Sequence, residues 1–142
     1  MLAVIVRGLP GSGKSTLTSK LAKDNNAVVH STDNYFCVTG EYIFNPKRLG
    51  WFHQLNLEDF EVSLSHGKNV ICDNTNTTWK EIKPYVKVAK KYGCEILIVE
   101  SETEWAFDVD VLAERNTHNV SKEIIQFMLD KWETTESIIE KV

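Results

Sequence analysis

The 142-residue sequence has no apolar run near the ~20 residues that would cross a bilayer. The opening run LAVIV, residues 2–6, is too short for a secretory h-region, has no basic residue before it, and leads straight into a loop that cleavage would destroy. A soluble, cytoplasmic chain with no membrane partner is expected. Cysteine is scarce: Cys37, Cys72 and Cys94 are odd in number, widely spaced and form no CxxC pair. That excludes a disulfide frame, a zinc knuckle and dithiol redox chemistry. Repeats, low-complexity tracts and interdomain linkers are also missing, so this length predicts a single domain over residues 1–142. An excess of positive charge is absent too. The net charge is −4, but it is divided unevenly: 12 Lys/Arg face 8 Asp/Glu up to Cys94, and 4 face 12 from Glu95 onward. A chain built only to coat nucleic acid is basic overall, and here only the first two thirds suit an anionic partner.

What is present is an alternation of strand and helix patterns. Apolar runs predict strands over 2–6, 27–29, 69–72 and 95–99, each followed by turn chemistry or a helical period. Asn45-Pro46 marks a helix start, and Thr78-x-x-Glu81 is a capping box before the pattern KPYVKVAKKYG. Gly67 and Gly93 mark helix ends. SETEWAFDVDVLAERN and SKEIIQFMLDKWE predict two further helices about the polar link THNV, with Ser121 as a cap. Alternating strands and helices imply an α/β fold, a mostly parallel sheet covered on both faces, with ligands at the carboxyl ends of its strands.

The first of those ends carries RGLPGSGKST, residues 7–16, which satisfies G-x-x-x-x-G-K-[ST] between a strand and a helix bearing Leu17, Leu21 and Ala22. Glycines let successive backbone N–H groups of Gly11, Ser12, Gly13, Lys14, Ser15 and Thr16 converge on phosphate oxygens, and the helix that begins there adds its positive end. Lys14 is placed to neutralise the β- and γ-phosphates and the Ser15 hydroxyl to ligate Mg²⁺. The guanine-reading N-K-x-D motif is absent, and the strand-end DNTN lacks the D-x-x-G glycine of GTPase switches. GTP switching is therefore not expected.

Three further residues stand where chemistry is possible, each with a plainer alternative. Asp33, in HSTDNYF past the second strand, can deprotonate a hydroxyl within ~2.6–3.2 Å, or can be an ordinary turn residue. Asp73, at the end of the run VICDNTN, can hold Mg²⁺ or fix the Ser15 hydroxyl, the alternative being an Asx turn. Arg115, beside Arg7 and Arg48 one of three arginines, can complement a helix dipole or stabilise a transferring phosphoryl. Lys80, Lys83, Lys87, Lys90 and Lys91 are read as a solvated helix face rather than a phosphate track. Tyr35, Phe36, Trp51 and Trp79 lie near the expected site mouth, where they pack a core or hinge or else stack a base. His53 and His118 have no metal-binding spacing and are read as structural or lid residues. Arg7 either pairs with an acidic strand end or supports the loop.

Taken in order, RGLPGSGKST, STDNYF, VICDNTN and LAERNTHNVSKE resemble the small P-loop kinases related to the 5′-hydroxyl kinase domain of bacteriophage polynucleotide kinase. The resemblance spans residues 2–133. It implies a P-loop kinase fold of about four parallel strands in the order 2-3-1-4, with a helix-loop-helix lid over about 104–122. It also implies Lys14 and Ser15 as the P-loop lysine and magnesium serine, Asp33 as general base, Arg115 as the lid arginine and Asp73 in a supporting role on the metal. The implied activity is ATP- and Mg²⁺-dependent transfer to a hydroxyl, foremost the 5′-OH of DNA or RNA. Where the phage enzyme has basic residues after the base, this chain has Asn34, Tyr35 and Phe36. A nucleoside, nucleotide or modified base is thus the alternative acceptor, and an ATP-binding interaction module the alternative of another class.

Overall fold

Period-two alternation along the first strand sends its side chains into two separate apolar layers. In the computed structural model, which describes residues 1–142 apart from the side chain of Val38, strand β1 (Leu2–Arg7) turns Ala3 and Ile5 to one face and Val4 and Val6 to the other. Helix α1 (Lys14–Asn25) covers Val4, Val6 and Ile71 with Leu17, Leu21 and Ala22. Strand β2 (Ala27–His30) leads into a 3-10 turn (Thr32–Phe36) and a hairpin of β3 (Cys37–Val38) and β4 (Glu41–Tyr42). A second 3-10 turn (Pro46–Arg48) opens α2 (Leu49–Ser65), followed by β5 (Asn69–Asp73), α3 (Trp79–Lys91) and β6 (Glu95–Glu100). Phe60 and Leu64 of α2 and Ile82, Tyr85, Val86 and Ala89 of α3 seal the second face over Ala3, Ile5, Val70 and Cys72. Three short helices end the chain, α4 (Val109–Arg115), α5 (Lys122–Asp130) and α6 (Thr135–Lys141).

The four long strands are parallel in the order β2-β5-β1-β6, which is the expected 2-3-1-4 when these strands alone are counted. Register aligns Val6 with Asp73 and Arg7 with Glu100, so the turns after β1, β5 and β6 leave one edge of the sheet together. The cap signals also hold. Asn45 accepts from the Lys47 N–H, Thr78 and Glu81 form the capping box, Ser121 caps α5, and Gly67 and Gly93 take φ of 76° and 69°.

Three local expectations differ. Residues 101–108 are turns rather than the first part of a helix, because Asp108 takes the N-cap, its side chain accepting from the Val111 N–H at 3.3 Å. The side chains ahead of it bind the β1–α1 loop instead. Helix α5 stops at Asp130, and Trp132 packs against Leu9, Leu112 and Ile125 together with Trp105 and Val109. Neither the β3–β4 hairpin nor α6 was expected. The hairpin turns at Thr39-Gly40, with φ of 51° and 81°, the positive-φ pair that a two-residue loop requires. Among the described residues no helix is long and apolar enough to cross a membrane.

Candidate active site

The β1–α1 loop is shaped by steric necessity. A Cβ on Gly8 would lie 2.5 Å from Ser12 Oγ and 2.6 Å from Lys14 Cγ. Gly11 and Gly13 hold φ of 82° and 98°, where side chains are strained. Gly13 is the N-cap of α1, and the first turn of that helix contains no acidic residue to compete with a bound anion. Ser15 and Thr16 are exposed on that turn. The loop is braced from beyond β6. Ser12 Oγ and Ser101 Oγ are 3.2 Å apart, Thr103 Oγ1 donates to the Ser12 carbonyl at 2.8 Å, and Trp105 Nε1 donates to the Gly11 carbonyl at 3.1 Å.

Lys14 Nζ stands 3.5 Å from Asp73 Oδ1 at the end of β5. That oxygen is buried and, among the described residues, accepts no hydrogen bond. An orphaned carboxylate oxygen together with the exposed Ser15 hydroxyl is a hard-oxygen donor set suited to Mg²⁺, which keeps waters and phosphate oxygens for its remaining positions. The residues present therefore fit a nucleotide with its metal.

Asp33 lies in the 3-10 turn after β2. Its two oxygens meet side chains from elsewhere in the chain: Oδ1 accepts from the Tyr42 hydroxyl at 3.3 Å, and Oδ2 is 3.4 Å from His118 Nδ1. Tyr42 and His118 stack at 3.8 Å and 10°. Burial, followed by the field of Asp33, pushes the Tyr42 phenol pKa upward, so Tyr42 remains a donor. Behind Asp33, the Thr32 N–H donates to Asn74 Oδ1 at 3.0 Å, and Thr32 Oγ1 pairs with His53 Nδ1 at 2.9 Å. Sequence reasoning placed His118 in the lid without a task and missed Tyr42; the Thr39-Gly40 turn was the signal that could have found the hairpin carrying it.

Arg115 ends α4, and its guanidinium lies 3.9 Å over the Trp105 ring. The indole thus links it to the phosphate loop through Gly11. Asn116 folds the loop that follows: its amide donates to the Leu112, Ala113 and Val120 carbonyls at 3.1, 3.1 and 3.0 Å, while its oxygen accepts from the Val120 N–H at 2.8 Å. Arg7 is a strut. Fully buried, it donates to the carbonyls of Asn76 (2.8 Å), Thr77 (3.0 Å) and Glu133 (2.6 Å) and to Thr135 Oγ1 (2.8 Å), with Trp132 over its face at 4.2 Å. Burial pulls its pKa down, against the fields of Glu100, Glu133 and Glu81. The five α3 lysines are exposed, Lys91 bound to Glu61 at 2.8 Å and Lys90 to the Val142 carbonyl. Phe36 is buried and Trp79 packs on the main core, whereas Trp51 is 59% exposed.

Fold and loop together define a P-loop domain with the fold of the small P-loop kinases. A family model described as AAA domain matches residues 4–135, and the chain belongs to that family. Human NEDD4-binding protein 2 is 43% identical over 143 residues, a match that spans 97% of this chain and 8% of that protein. The 2′,3′-cyclic-nucleotide 3′-phosphodiesterase of Rattus norvegicus is 30% identical over 123 residues, 82% of this chain and 28% of that one. The chain thus spans a minor part of these relatives. Among solved structures, a chain of the Pnkp1/Rnl/Hen1 RNA repair complex superposes with a TM-score of 0.72 at 21% identity, covering 99% of this chain and 45% of its own. A gluconokinase from Sinorhizobium meliloti superposes with a TM-score of 0.58 at 15% identity, covering 94% and 75%.

Proposed function

We propose that the chain transfers the γ-phosphoryl group of ATP, with Mg²⁺, to a hydroxyl, and that this hydroxyl is the 5′-OH of DNA or RNA. The observation that carries this reading is Asp33, a partly exposed carboxylate past β2 whose two oxygens are met by Tyr42 and His118 rather than by its own turn. Bound ATP with its metal supplies an electrophilic phosphorus and a leaving group. Lys14 and the N–H groups of residues 11–16 offset phosphate charge, and Ser15 and Asp73 hold the metal. Asp33 accepts the hydroxyl proton while the new O–P bond forms and the bond to the β,γ-bridging oxygen breaks. Residues 104–122 act as a lid that brings Arg115 to the charge spread over the transferring group. The RNA repair complex and the cyclic-nucleotide phosphodiesterase, by their names, support an acceptor of nucleic-acid type.

Asp33→Asn tests the base. Nucleotide affinity stays within error, and transfer falls about 10²–10⁴-fold; unchanged transfer sinks the assignment. Labelled ATP offered in parallel to 5′-hydroxyl oligonucleotides, nucleosides and nucleotides tests the acceptor. Labelling of the monomers alone refutes a polynucleotide acceptor, and ATP binding without transfer to any acceptor favours an interaction module.

A further inference from the structure

Beyond Asp33 runs a chain of aromatic rings, of which only the innermost touches the proposed phosphoryl-transfer machinery. Its inner end is Tyr42, bonded to Asp33 and stacked on His118. From Tyr42 the buried ring of Phe36 lies 6.1 Å away, and Phe36 in turn touches Phe44 at 5.1 Å and Phe52 at 4.7 Å. Trp51 stacks on Phe52 at 5.6 Å and 29°. At the outer end the rings face solvent: Phe44 is 50% and Trp51 59% exposed. Between them in sequence the 3-10 turn capped by Asn45 exposes Lys47 and Arg48. Among the described residues neither forms an ion pair. Glu41 is the one acidic residue between positions 34 and 57, in a chain whose net charge is −4.

Exposed flat rings interleaved with unpaired cations match one ligand chemistry well: bases with both faces free, joined by phosphates. A peptide groove would be apolar and bounded by mixed charge, and a lipid surface would call for more cations than two. We propose that Phe44, Lys47, Arg48 and Trp51 form a binding strip for single-stranded nucleic acid. Phe44 and Trp51 stack unpaired bases, and the two cations take phosphates. The proposal rests on the transfer reading for one point, which end of the strand lies at Asp33: the 5′ end sits at the carboxylate and the following nucleotides run outward along the strip.

The test measures equilibrium binding of labelled 5′-hydroxyl single strands, from mononucleotide to decanucleotide, and of a blunt duplex, without ATP, followed by transfer to the same acceptors. Affinity rises with single-strand length and is lower for the blunt duplex. Trp51→Ala weakens the decanucleotide about five- to a hundredfold, shrinking the gain from mononucleotide to decanucleotide, and Trp51→Phe restores most of it. Lys47→Ala with Arg48→Ala flattens the dependence of log affinity on log salt by about 1.4. Lys47 and Arg48 are exposed, so the double substitution leaves the melting midpoint with the parent, and Trp51→Phe keeps an aromatic ring against Phe52. Decanucleotide affinity untouched by these substitutions overturns the proposal, as does an equal loss at every length. Absent transfer to every acceptor, with single-strand binding still weakened by Trp51→Ala, sinks the kinase reading and leaves the strip standing.

Discussion

Tyr42 gives its hydroxyl to Asp33 and its ring to His118, so one atom separates two tasks. Tyr42→Phe keeps the stack and removes one hydrogen bond from the carboxylate. Loss of a bond of that kind slows transfer about three- to tenfold at unchanged nucleotide affinity, read from single-turnover rates. Arg7 poses the opposite case, since its four hydrogen bonds end on three backbone carbonyls and the Thr135 hydroxyl. Truncating it to Ala strands acceptors in the loop after β5 and at the start of α6 and costs about 3–5 kcal/mol. Arg7→Lys recovers little, because a single ammonium cannot reproduce the guanidinium fork. Urea midpoints of the two variants check both statements.

At the scale of elements, the phosphate loop and the end of α4 are in contact through a glycine. A Cβ on Gly11 would meet the Leu112 carbonyl oxygen at 2.8 Å and the Asn116 nitrogen at 2.9 Å, on a residue at φ +82°. Gly11→Ala is expected to weaken nucleotide binding and to lower stability by about 1–2 kcal/mol from the backbone conformation alone, which titration calorimetry and thermal melting separate. The strands and the helix caps were legible because each is written in a short window: LAVIV, NVIC, Asn45-Pro46, Thr78 to Glu81; the order of the sheet is non-local and came only with the family resemblance. Residues 101–108 read as helix for the same reason and proved otherwise. Ser101, Thr103 and Trp105 satisfy the β1–α1 loop, a partner about ninety positions away that no local window contains. The β3–β4 hairpin was hidden by brevity, since two-residue strands show no period. The meeting of Asp33, Tyr42 and His118 depends on that hairpin and on the loop after α4 arriving together, so neither histidine spacing nor motif order could reveal it.

The molecule as a whole titrates asymmetrically. His30 is buried against Phe60, 2.9 Å from Ser63 Oγ, and desolvation holds its pKa below the ordinary 6.5, opposed by Asp59. His53 shifts the same way, by desolvation against the fields of Glu81 and Asp33. The unfolded chain therefore binds protons that the folded one refuses. The histidine contribution to stability is flat above pH 6.5, falls as pH drops below that value, and levels once pH passes the folded-state pKa. Urea midpoints across that range check the sign, before carboxylate titration takes over in stronger acid. Thiols report the same intactness: burial pushes Cys72 up to about 12 while Cys37 is exposed, so a thiol reagent labels Cys37 at once and Cys72 only on unfolding. The indole of Trp105 is bonded to the Gly11 carbonyl on its edge and capped by the Arg115 guanidinium on its face. A chromophore so placed is sensitive to its own polar neighbours. If Arg115 leaves the ring for a phosphate, the emission of Trp105 shifts, and the chain carries a built-in optical readout of ligand arrival that needs no dye.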